Sequence, residues 1–84
     1  MRRRVLYFAW LRERIGTGRE EVETEARTVA ELVDELRARE ARYEAAFADM
    51  AAVRVALDQV LAEGPDAALG DAREVAFFPP MTGG

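Results

Sequence analysis

The rhythm of apolar and polar positions changes repeatedly along this chain, and each change marks an element. Residues 5–10, VLYFAW, are mostly β-branched or aromatic and fit a first strand. Alternation places Val5, Tyr7 and Ala9 on one side and Leu6, Phe8 and Trp10 on the other. Both sides are apolar, so one meets a core and the other meets something further. LRERIGTG follows, a short helical turn leading into a tight turn at Gly16 and Gly18. REEVETEA alternates weakly and reads as a polar edge strand.

At Thr28 the period lengthens. Thr28 and Glu31 form a T-x-x-E capping box, and Val29, Leu32, Val33 and Leu36 follow at the i, i+3, i+4, i+7 spacing of a helix with one buried face. That helix is expected to run into residues 37–39. ARYEAAFADM predicts a second, shorter helical piece with Tyr43, Phe47 and Met50 as its apolar contacts. The period returns to two in AAVRVALDQVLAE, a hairpin with Val53, Val55 and Leu57 inward and Asp58-Gln59 at its turn. GPDAALGD is a loop, and REVAFF is the last strand, with Val75 and Phe77 on one face and Ala76 and Phe78 on the other. The order β, β, α, short α, β, β, β predicts an α+β fold, a sheet with one main helix packed on one face. Val5, Tyr7, Val53, Val55, Val75 and Phe77 are its expected inward residues.

Composition narrows what such a domain can do. Eighty-four residues make one domain. The net charge of −4 argues against a nucleic-acid partner. All 12 basic residues are arginine, and the chain contains no Cys, His, Lys, Ser or Asn. Disulfides and thiol chemistry are therefore excluded, which is compatible with the cytosol. Zinc would have only carboxylates to bind, so no metal site is expected. The usual nucleophiles and general bases are missing as well. Three arginines before an apolar run imitate a signal peptide, but the run is short and no small-residue cleavage site follows. No membrane span is expected.

The last residues are unusual. FFPPMTGG runs an apolar strand into Pro79 and Pro80, which remove two backbone donors and stop the sheet. The prolines favour an extended exit, and residues 79–84 reach ~20 Å when extended. Gly83 and Gly84 have no Cβ and fit a narrow channel. An inert, frayed end is the plain alternative. The rigid spacer and the shortage of other reactive groups favour function, with the main-chain carboxylate of Gly84 as the best reactive group on the chain. The expected division is a domain over 1–78 and an extended tail over 79–84.

VAFFPPMTGG, the VRVALDQ hairpin and the N-terminal VLYFAWLRERIG together resemble the small subunits of molybdopterin synthase, the MoaD-type sulfur carriers. The resemblance spans essentially the whole chain. A Gly-Gly end alone is shared by ubiquitin-like modifiers and several sulfur carriers, whereas FFPP-x-x-GG at this length is specific. The resemblance implies a β-grasp, ubiquitin-like fold. It implies that an E1-like activating enzyme uses ATP to adenylate Gly84 and that sulfur then converts it to a thiocarboxylate. It implies insertion of Pro79, Pro80, Met81, Thr82 and Gly83 into the large synthase subunit, and sulfur transfer to cyclic pyranopterin monophosphate to build the dithiolene. It implies further a cytoplasmic heterotetramer, with no cofactor bound to the carrier, which is not catalytic on its own. A carrier for thiamine or another thiolated product, or a ubiquitin-like modifier joined through Gly84, would share the tail chemistry; Pro79-Pro80 and the length argue against the thiamine type.

Two departures from the family pattern put local turns in question. The hairpin commonly carries Asn before Gln, where this chain has Asp58, and the loop before the last strand reads GDAREV rather than Asp-Gly-Asp-Glu-Val. Strict alternation also predicts that Phe8 and Phe78 share the sheet face opposite the core, joined by Leu61 beside small Ala56. A loop of the same chain could cover that face. The main helix covers only the other one, and Phe78 stands directly before the tail, so Phe8, Leu61 and Phe78 are the expected partner-binding residues.

Overall fold

The computed structural model describes residues 1–80. Its strands are β1 (Arg2–Tyr7), β2 (Arg19–Glu23), β3 (Arg54–Leu57), β4 (Val60–Leu61) and β5 (Glu74–Phe78). Its helices are α1 (Trp10–Ile15), α2 (Val29–Arg37) and α3 (Ala41–Ala46), with a single 3-10 turn at Met50–Ala52. The strands form one sheet in the order β2-β1-β5-β3-β4. The first and last strands run parallel at its centre, and every other pairing is antiparallel. This mixed sheet is the β-grasp arrangement implied by the resemblance, and β2 is an edge strand as its polarity predicts.

Sequence pattern explains most of the packing. Thr28 accepts a hydrogen bond from the Glu31 amide at 3.2 Å and caps α2. Glu31 reaches back to the Arg27 amide rather than to that of Thr28 itself, closing the box one residue early. Val29, Leu32, Val33 and Leu36 are all buried, as the helical stripe requires. α2 ends at Arg37, at the near edge of the expected range. Across from it, Val5, Tyr7, Val53, Val55, Val75 and Phe77 are buried on the inner sheet face. Tyr7 and Phe77 are register partners whose rings stack at 6.1 Å, and Phe47 meets Phe77 edge-on at 4.9 Å.

The first strand departs from its expected span. It begins at Arg2 and ends at Tyr7. Ala9 takes φ 54°, the chain turns, and Trp10 opens α1 instead of continuing the strand. Ala9 is therefore exposed, not inward, and Trp10 leaves the Phe8 face to pack half-buried against the core. The physical reason lies in Leu11 and Ile15, one helical turn apart and both fully buried. Burying that pair needs a helix starting at Trp10, and the apolar run conceals the break.

Of the two doubtful turns, the hairpin is made by unexpected residues and the loop by a glycine. Asp58 and Gln59 have φ 48° and 72°, the two left-handed positions of a two-residue hairpin turn. Asp58 offsets the poor fit by accepting from the amides of Arg73 and Glu74, each at 2.9 Å. In the loop, Gly70 takes φ 52°, and the buried Arg3 guanidinium donates to the carbonyls of Gly70 and Ala72. A strand arginine thus holds the connection that leads into β5.

Candidate functional site

The face of the sheet turned away from α2 is uncovered. Register fixes its layout. Leu6 lies beside Ala76, Ala76 beside Ala56, and Ala56 beside Leu61, a row crossing β1, β5, β3 and β4. One step towards the tail, Phe78 lies opposite Arg54, and the Phe8 amide donates to the Phe77 carbonyl at 3.0 Å as the last bond between β1 and β5. Small alanines at the centre of the row leave a depression between larger side chains. It is an open hollow of about 780 Å³ lined by Leu6, Phe8, Ala56, Gln59, Glu74, Ala76, Phe78, Pro79 and Pro80.

Phe8 is 49% exposed and Leu61 62%, while Phe78 is half-buried. Phe8 and Phe78 line the hollow together with Pro79 and Pro80, so the apolar face and the root of the tail form one continuous surface. Leu61 lies outside the hollow and extends the apolar surface towards the β4 edge, next to Val60, which is 69% exposed. Leu6 and Ala76 belong to the surface although sequence reasoning named neither as a contact residue; the alternation had already placed them on this side. Met81, Thr82, Gly83 and Gly84 lie outside the described residues.

Under the same sheet, a polar node ties the core to β2. The hydroxyls of Tyr7 and Tyr43 both donate to one oxygen of Glu20, at 2.9 and 2.6 Å. Arg39 approaches the other oxygen at 3.4 Å. Burial first, and then the neighbouring Glu20 charge, push the Tyr7 hydroxyl well above the ordinary tyrosine range. These phenols are held neutral, which makes them structural donors and not bases. Nothing in the pattern of periods announced the node, because Glu20 reads as an ordinary edge-strand acid. No helix among the described residues is long and apolar enough to cross a membrane.

Comparison with known proteins agrees with this geometry. Residues 5–84 match the model of the ThiS family. The chain is 41% identical over 81 residues to the molybdopterin synthase sulfur carrier subunit of Escherichia coli, covering 96% of this chain and 98% of that one. Among solved structures, a molybdopterin converting factor subunit 1 described as putative, from Pyrococcus furiosus, superposes with a TM-score of 0.73 at 29% identity, covering 95% of this chain and 98% of that one. The fold is shared with SAMP1 from Haloferax volcanii, at a TM-score of 0.77 and 23% identity over the whole of both chains. A second structure, of the small archaeal modifier protein 1 of H. volcanii, matches at 0.74 and 25%, covering 94% and 97%. The chain belongs to the ThiS family.

Proposed function

We propose that this chain is the sulfur carrier subunit of a molybdopterin synthase. The observation that carries the reading is the junction of the apolar outer face with Pro79 and Pro80, which supports docking at the root of the tail. Likeness to the E. coli carrier over nearly the full length of both chains supports it.

The chemistry follows from what Gly84 offers. A free carboxylate resists attack, so an E1-like enzyme first activates it: a Gly84 oxygen attacks the α-phosphorus of ATP and pyrophosphate leaves. A sulfide-level sulfur nucleophile then attacks the acyl carbon and AMP departs with the C–O electron pair. The resulting thiocarboxylate is the sulfur donor. Inside the large subunit its sulfur attacks an oxygen-bearing carbon of cyclic pyranopterin monophosphate. The C–O bond there breaks with the oxygen keeping the electron pair and taking up a proton, and water then hydrolyses the acyl–sulfur bond. Sulfur stays on the product and Gly84 returns to a carboxylate. Phe8, Leu61 and Phe78 grip the large subunit and, in a separate complex, the activating enzyme. Pro79, Pro80, Met81, Thr82 and Gly83 occupy the insertion channel. The carrier binds no cofactor and works in the cytoplasm within a heterotetramer.

The test is intact mass after incubation with an activating enzyme, ATP and a sulfur source. The expected result is an oxygen-to-sulfur exchange confined to the C-terminal residue. Deleting Gly84, or adding one residue after it, should abolish both the exchange and dithiolene formation while leaving the unfolding temperature unchanged. An extended variant that stays active without being trimmed back would overturn the mechanism. The structural likeness to a small archaeal modifier favours a second reading, attachment of Gly84 to protein amines. Mass shifts on other proteins that depend on Gly84 would support that one.

A further inference from the structure

An activated acyl group endangers the protein that bears it, because any amine or thiol within reach can capture it. This chain contains no Lys, Cys or His, and each of its 12 cations is an arginine, whose guanidinium stays protonated and non-nucleophilic near neutral pH. The described hydroxyls are engaged. Those of Tyr7 and Tyr43 donate to Glu20, that of Thr24 donates to Glu35, that of Thr17 donates to the Arg19 carbonyl, and that of Thr28 caps α2.

One amine remains, at Met1. It donates to the Thr24 carbonyl at 3.0 Å and pairs with Glu23 at 3.2 Å and Glu25 at 3.5 Å. The Glu23 hydrogen bond above all, with the charges of both glutamates, raises its pKa above the ordinary value of 8.0, and these contacts hold the amine against residues 23–25. Topology removes it further. Because β1 and β5 are parallel, Met1 lies at the Glu74 end of the sheet and the tail leaves from the opposite end, beside Phe8. Met1 and Phe8 are seven extended residues apart, roughly 23 Å. The six tail residues span ~20 Å at most, less than that distance.

We infer that this chain is an acyl donor that cannot act as acceptor for its own kind. Activated Gly84 neither cyclises onto its own domain nor couples to a second copy. Each transfer therefore goes to a different molecule, and a protein amine that receives it carries one unextended copy. The inference rests on Gly84 being the acyl donor, as proposed above, but not on sulfur being its cargo.

The test uses the full chain bearing a C-terminal thioester, prepared by thiol cleavage of a self-splicing fusion, so that no activating enzyme is needed. Aminolysis forms the amide C–N bond, expels the thiolate and gives the amine's proton to buffer. Incubated alone at neutral pH, the wild-type thioester should yield only starting material and hydrolysed acid by intact mass. Added hydroxylamine should consume it fully, which verifies that the acyl group is reactive. Arg54→Lys places an amine opposite Phe78 at the tail root, at a local concentration in the millimolar range, and should divert most of the thioester into an internal amide or a covalent dimer. A cyclic or dimeric wild-type product, or a Met1-linked peptide in its digest, overturns the inference. An Arg54→Lys thioester that hydrolyses as cleanly as wild type also overturns it, since the missing amines would then not be what protects the chain. Neither result bears on whether Gly84 accepts sulfur.

Discussion

The two faces of one sheet have opposite fates, and neighbouring residues show it. Phe77 is fully buried, stacked on Tyr7 and met edge-on by Phe47. Phe78, the next residue on the same strand, lines the open hollow with Phe8, Pro79 and Pro80. Both are phenylalanines in the same backbone conformation, so the difference comes only from what lies above each face. α1, α2 and α3 supply Leu11, Ile15, Leu32, Leu36 and Tyr43 to the inner face. No element of the described chain is laid over the outer one. An apolar side chain kept on an uncovered face contributes little to folding.

The sharpest way to break this contrast is to truncate the inner residue. Phe77→Ala should cost about 3–5 kcal/mol of stability, read from denaturant unfolding, because the cavity lies between Tyr7 and Phe47 where nothing can collapse into it. Leu32→Ala and Leu36→Ala should each cost about 2–5 kcal/mol. Losses near zero at Leu32 and Leu36 would mean that α2 does not cover this face.

The Glu20 node tests whether the inner face depends on its polar ties as well as on packing. Glu20→Ala leaves the hydroxyls of Tyr7 and Tyr43 without an acceptor, an expected loss of about 1–3 kcal/mol. The alkaline limb of stability gives a second reading. Tyr7 has a raised pKa in the fold, so above pH ~10 the unfolded chain releases that proton first. Its contribution is complete below that pH and falls as pH rises towards the folded value. Tyr7→Phe should flatten the decline between pH 10 and 11 in thermal unfolding. An unchanged slope would show that the hydroxyl is not buried as described.

How far the sequence reveals all this depends on the length of the signal. The α2 stripe, the hairpin and the inward residues of β5 were legible because a period repeated several times across each. The β1–α1 junction was not, since a break within one apolar run leaves no polar residue to mark it. Arg3 and Glu20 were illegible for a different reason. Their partners are main-chain carbonyls and tyrosines far away in sequence, and no local pattern encodes a contact of that kind. At the candidate site, alternation placed Phe8 and Phe78 on one face, but only the strand order brought Leu6, Ala56 and Ala76 between them as the floor of the hollow.

The smallest stability effect should come from the outer phenylalanine, and it separates folding from function most directly. Phe78 is half-buried, so Phe78→Ala removes about half of a full burial, roughly 1 kcal/mol. That is a small fraction of the loss expected one residue earlier. Binding should respond in the reverse order of importance: an aromatic anchor at the root of an inserted tail lies where hot spots concentrate, and its truncation should weaken association with a large synthase subunit by about 1 kcal/mol or more. Titration calorimetry alongside thermal unfolding distinguishes the outcomes. Weakened binding with a nearly native unfolding temperature assigns Phe78 to the docking surface. Unchanged affinity with a loss of stability comparable to that of Phe77→Ala would return it to the core, and the contrast between the two faces would disappear with it.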